Sequence, residues 1–198
     1  MAEPFAVINA DDFYGRDAFA KIGAHLAAIP VAPAAGEKYS FAMVGYRLDL
    51  TLSANGSVAR GICNVDEDGL LAGVTEMTKL VKAGDVAENR EDPDNPVKVP
   101  LDARVSMNLW GFQRALFDEL ERRFPAWLAE NGAKEKSEWY IPFVVDELVR
   151  EGKAECRVLP TDSSWFGVTY REDKPFVVAE IRKLVEAGEY PENLLAAV

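Results

Sequence analysis

Two hydrophobic periods alternate along the chain. Phe5-Ala6-Val7-Ile8 is a short apolar run closed by Asn9 and Ala10, the pattern of a central, buried parallel strand over residues 5–9. Ala18, Phe19, Ile22, Leu26 and Ile29 then recur at helical spacing, and Pro30 ends the helix they predict over 16–29. Strand patterns follow at 39–48, at 58–65 after the hairpin-type turn Ser53-Ala54-Asn55-Gly56, and at 70–75 after Asp66-Glu67-Asp68-Gly69. Residues 87–96, with Glu88, Glu91, Asp92, Asp94 and two prolines, read as an exposed loop.

From Val99 the alternation resumes. It predicts a strand over 105–112, a helix over 115–124, and a surface stretch through Trp127, Leu128 and Lys134-Glu135-Lys136. A helix over 141–150 stops at Gly152, and a strand over 155–159 follows. The last helix, 176–187, ends at Gly188. No internal repeat or low-complexity segment interrupts this order. The pattern predicts one α/β domain over 1–198, a mixed sheet flanked by helices.

Composition narrows the function classes. The 198 residues are 48% hydrophobic and 28% charged, with a formal net charge of −11. That charge argues against nucleic acid or an anionic membrane as a partner. It leaves room for a small phosphorylated ligand held through a metal ion. Cys63 and Cys156 lie in apolar runs and read as reduced core thiols. His25, the single histidine, excludes a His-rich zinc site and a Ser-His-Asp triad. Trp110, Trp127, Trp139 and Trp165 are dispersed, so core packing is the default for each. Neither a signal peptide nor a bilayer-length apolar stretch is evident, and the expectation is a cytoplasmic protein.

Asp11 and Asp12 raise the chemical question. Open α/β sheets bind ligands at the carboxyl ends of their strands, and both aspartates fall at such an end. A carboxylate there suits Mg²⁺ shared with substrate phosphates. Equally, one aspartate caps the helix starting near Arg16 while the other is solvated.

Several stretches in order resemble the sugar nucleotidyltransferases, which join a nucleoside triphosphate to a sugar 1-phosphate. "VINADDFYG", from Val7, is similar to the family's aspartate-bearing strand end, and "GSVARGIC", from Gly56, to its sugar-loop segment. "GVTEMTK", from Gly73, resembles the Glu-Lys-Pro strand, and "VSMNLWGF", from Val105, the strand after it. "WFGVTYREDKPFVVAEI", from Trp165, resembles the closing turn and helix.

The resemblance implies a Rossmann-like, GT-A-like mixed sheet and a set of roles. Asp11 would hold Mg²⁺, Glu76 would bind sugar hydroxyls, and Gly56 and Asn108 would approach the substrate. Met77 replaces the family lysine; Lys79, two residues on and so on the same face of the strand, would be the catalytic cation in its place, or else a solvated lysine. The closing turn lacks the family's second metal aspartate, which leaves Asp173 or Asp162 to complete the site. The implied substrates are a nucleoside triphosphate, UTP among the candidates, and a sugar 1-phosphate.

The family begins with a βαβ unit whose glycine-rich loop cradles the triphosphate. Nothing like that loop occurs in these residues, and the expectation is that this unit precedes Met1. Without it, transfer by this chain alone is impaired, and strand 5–9 carries an open edge that favours a homo-oligomer. The alternative is a non-catalytic sugar-nucleotide-binding or regulatory module.

Overall fold

The computed structural model describes residues 3–53, 56–167 and 171–193, and builds them around one eight-stranded mixed sheet. In chain order the elements are β1 (Phe5–Val7), β2 (Asp12–Phe13), α1 (Arg16–Ala28), β3 (Tyr39–Arg47), β4 (Val58–Val65) and β5 (Leu71–Ala83). There follow β6 (Val86–Asn89), β7 (Val97–Pro100), β8 (Arg104–Phe112), α2 (Ala115–Asn131) and α3 (Ile141–Arg150). The chain closes with β9 (Ala154–Thr161), β10 (Phe166–Gly167) and α4 (Lys174–Glu186).

The strand order is β7-β6-β5-β4-β8-β3-β9, with β1 also paired to β8. Only β3 and β9 run parallel; the other pairings described are antiparallel. Alternation along β3 sends Ala42, Val44 and Tyr46 to a core beneath Ala18 and Ile22 of α1. Phe41 and Met43 face a second core with Leu116 of α2 and Val144, Val145 and Leu148 of α3. Helices thus cover both faces of the sheet.

β1 differs from the sequence expectation. It is three residues long, antiparallel to β8 and half-buried, with Ala6 exposed between Phe5 and Val7. The apolar run reads as buried on both faces, yet its register is Phe5 opposite Phe112 and Val7 opposite Trp110, and Ile8 beyond it is 44% exposed. Phe5 stacks on Phe117 of α2, ring centroids 4.9 Å apart.

Two other stretches are more regular than the sequence suggests. β5 runs on to Ala83 and turns at Gly84, whose φ of 67° suits glycine, into β6. Ala87 and Asn89 are therefore buried strand residues, not loop. α2 continues past Phe124 to Asn131 with Pro125 inside it, supported by stacking of Trp127 on Trp139 at 5.8 Å. The predicted turn at Ser53 to Gly56 falls partly on residues outside those described.

β8 is where the fold opens. β4 pairs with its first half at Val105 and Ser106, and β1 with its last residues from Trp110, along the same edge. Between them β8 bulges: Met43 and Gly45 of β3 face Trp110 and Ser106, so two residues of β3 span four of β8. Asn108 sits in the bulge at φ 63°, a left-handed conformation that asparagine tolerates better than most residues. Among the described residues no helix is long and apolar enough to cross a membrane.

Candidate functional site

The gap along β8 is the floor of a cleft of about 290 Å³. The aspartates are not at the end of β1, as the sequence suggests: Asp11 enters from the turn before β2 and Asp12 from the start of β2, with Arg60 and Gly61 from β4, Glu76 from β5 and Asn108 from the bulge. Trp165 and Asn9 complete the walls. A crevice where two strands part along one edge is a usual place for a ligand.

Asp12 is the most firmly held of the acids. Its Oδ2 accepts from Asn9 Nδ2 at 2.9 Å and from the Tyr14 hydroxyl at 3.3 Å. The Tyr14 oxygen in turn accepts the Asn9 amide at 3.0 Å, and the Tyr46 hydroxyl donates to the Tyr14 carbonyl at 2.7 Å. Tyr14 and Tyr46 are buried, so this chain of bonds ties the site to the core. Partial burial raises the Asp12 carboxyl above its ordinary range, and the neighbouring Asp11 charge adds to that. Hydrogen bonds from Asn9 and Tyr14, and the nearby Trp165 indole, pull the other way without cancelling it. Asp11, by contrast, is exposed and accepts no hydrogen bond from a described side chain.

β2 and β10 form a separate two-residue ribbon that fixes this geometry. Gly167 lies opposite Asp12 and Phe166 opposite Phe13, the two rings stacked at 4.5 Å. A Cβ at position 167 would collide with Asp12 Oδ1, so any larger residue there would make the carboxylate shift.

Across the cleft, Glu76 is raised by partial burial and by Glu91, and lowered by Arg60. Arg60 is the lining cation among the described residues. Its guanidinium lies over the Trp165 ring at 5.0 Å; Nη1 donates to the Ala59 carbonyl at 2.7 Å and Nη2 to the Thr51 carbonyl. Burial lowers the Arg60 pKa to about 10, against the attraction of Asp12 and Glu76.

Of the residues singled out in the sequence, Asp11, Glu76 and Asn108 come together here. Gly56, Lys79 and Asp173 are not among the lining residues. Gly61, at the end of the same "GSVARGIC" segment, is the glycine facing Glu76 across the strand pair. A bulge between Val58 and Arg60 breaks the alternation that was to place Lys79 on the face of Met77. Met77 packs against the core while Lys79 is exposed, its charge felt by Glu91. Asp173 occupies the N-cap position of α4, and Asp162 sits 3.7 Å from Arg104.

Arg60, Trp165 and Asn9 were missed by sequence reasoning. Arg60 and Trp165 both lie inside segments that carried the resemblance, but neither residue type at that position announces a ligand. No protein-family model and no curated protein matches the chain.

Mg²⁺ can be weighed against the donor set. Among the described residues no three acids, histidines or cysteines gather around one point. Mg²⁺ needs only one or two protein carboxylates when phosphates and water fill the remaining positions. Asp11, without a hydrogen-bonding competitor among the described side chains, and Asp12 beside it fit that requirement.

Proposed function

We propose that this chain is the sugar-binding portion of a nucleotidyltransferase fold of the GT-A-like kind, acting on a nucleoside triphosphate and a sugar 1-phosphate. The observation that carries the reading is convergence. Asp11, Glu76 and Asn108, singled out from separate segments by resemblance, line one cleft although they are far apart in sequence. The lining also suits the chemistry: carboxylates and amides for hydroxyl groups, with adjacent acids at a strand end for a cation.

In this reading Asp11 and Asp12 would hold Mg²⁺, which when bound neutralises phosphate charge. Glu76 accepts hydrogen bonds from sugar hydroxyls, Asn108 donates from the bulge, and Tyr14 and Asn9 hold Asp12 in position. Phosphoryl transfer asks little covalent work of a protein, so this positioning is the contribution of these residues.

A second reading, a non-catalytic sugar-nucleotide-binding module, is favoured by the cation inventory. Met77 stands where the family has lysine, Lys79 is outside the cleft, and no glycine-rich phosphate loop is present in these residues. Both readings require that the cleft bind a nucleotide sugar. Isothermal titration of the chain with UDP-glucose and Mg²⁺ tests that requirement. Heat that disappears in Asp11→Asn and Glu76→Gln is expected; no heat in the wild type removes both readings. Pyrophosphate release from UTP and glucose 1-phosphate then separates enzyme from binding module.

A further inference from the structure

We propose that Arg60 is a specificity-determining residue of the cleft, donating to hydroxyl oxygens of a neutral monosaccharide unit whose hydroxyl protons are taken by Glu76. The proposal deepens the sugar-binding reading above and rests on it for the cleft, but it stands or falls on different measurements.

A guanidinium carries five N–H donors. At Arg60 one on Nη1 and one on Nη2 are bound to backbone carbonyls, and Nε is buried without a partner, so the donors left for a ligand are the second hydrogens of Nη1 and Nη2. No carboxylate among the described residues forms an ion pair with Arg60, although Asp12 and Glu76 both act on its charge from across the cleft. The two carbonyls and the Trp165 ring fix the group before any ligand arrives. Glu76 accepts no hydrogen bond from another described residue. The cleft thus offers fixed donors on one wall and an unpartnered acceptor on the facing one.

A hydroxyl group, donor and acceptor at once, satisfies both walls. An anion does not. Asp11, Asp12 and Glu76 against a single guanidinium leave the lining acidic, so a phosphate entering alone meets repulsion. One face of the Trp165 ring is already taken by the guanidinium. A volume of about 290 Å³ is small for a ligand pocket and matches one sugar ring rather than a whole nucleotide.

The test uses methyl glucoside, methyl galactoside and methyl mannoside without nucleotide, with EDTA present, read by saturation-transfer NMR. Wild type is expected to give transfer to at least one of them. Arg60→Met and Glu76→Gln are each expected to weaken that sugar about tenfold or more, the loss of one charge-assisted hydrogen bond, and Arg60→Lys to recover only part. Thermal melts identify a variant that has unfolded, and Arg60→Lys keeps the test open if Arg60→Met does, full binding by folded Arg60→Lys counting against the proposal. No transfer from any of the three sugars, or equal binding by folded Arg60→Met, overturns the proposal. Nucleotide-sugar binding without monosaccharide binding sinks this proposal alone; the converse removes both nucleotide-sugar readings above and leaves this proposal standing.

Discussion

Asp12 and Gly167 face each other across the β2–β10 ribbon, and the Asp12 carboxylate fills the space a side chain at 167 would need. The placement of the Asp12 carboxylate therefore depends on position 167 having no Cβ. Gly167→Ala should push the carboxylate off its bonds to Asn9 and Tyr14 and overpack the ribbon, at a cost of about 1–3 kcal/mol. Titration with UDP-glucose and Mg²⁺ should show Gly167→Ala losing as much affinity as Asp12→Asn. Unchanged affinity in a folded Gly167→Ala would mean that the carboxylate has room to move and that its position is not critical.

Acidity at the cleft sets a pH dependence. Asp12 and Glu76 are both raised above their ordinary values of 3.8 and 4.5 by partial burial. A raised carboxyl favours folding while protonated, an advantage present below its unfolded pKa and lost as pH rises through the folded one. Ligand binding runs the opposite way, because hydroxyl protons need ionised acceptors. Affinity should therefore fall on acidification at a pH above the ordinary carboxylate range, while stability holds. Titration calorimetry and thermal melts over pH 4–8 would check the pair of trends, and affinity that is flat down to pH 4 would contradict the first.

Much of the architecture follows from patterns visible along the chain. The spacing of Ala18 and Ile22 gives α1, and the run around Val144, Val145 and Leu148 gives α3 at its observed bounds. Asp11, Glu76 and Asn108, which the resemblance singles out, line one cleft. The rest depended on tertiary context. Whether the run beginning at Phe5 is central is decided by what pairs with it, not by its own composition. Lys79 obeys a period-two rule until the bulge between Val58 and Arg60 breaks it. Arg60 lies over Trp165, more than a hundred positions later in the chain, a contact that no local pattern announces.

The surface beneath α2 and α3 is held by a different charge network. Arg123, whose side chain is 11% exposed, bonds Glu119 at 3.1 Å, Glu147 at 2.8 Å and Glu151 at 2.6 Å. Its hydrogen bond, joined by that of Lys153, lowers Glu151 to about 2. A lowered carboxyl contributes stability present above its unfolded pKa and lost as pH falls through the folded one. Most of Glu151 is in water, so screening keeps its own share small. Arg123→Met should cost about 1–2 kcal/mol at neutral pH, by removing at once its bonds to Glu147, Glu151 and the buried Glu119, which keeps Arg122 and the Tyr39 hydroxyl as partners. That corresponds to a melting temperature lower by roughly 2–8 °C. The loss should shrink as the carboxylates are protonated below about pH 4. A melt unchanged at pH 7 would show that the three acids are as well off in water.

β1 bears on self-association. It pairs with β8 on one side, and among the described residues no strand pairs with its other side. Ala6 and Ile8 are exposed there, and Phe117, which stacks on Phe5, is 44% exposed. An uncharged strand with unpaired backbone groups is a template for another strand. The chain should therefore show concentration-dependent dimers by size-exclusion chromatography with light scattering. Ala6→Lys and Ile8→Lys should shift it toward monomer without lowering its melting temperature, since both side chains lie outside the core. Hydrogen exchange at residues 5–7 should be fast in the monomer compared with β3, which is paired on both sides. A monomer at high concentration with strongly protected amides at 5–7 would show that this edge is already covered.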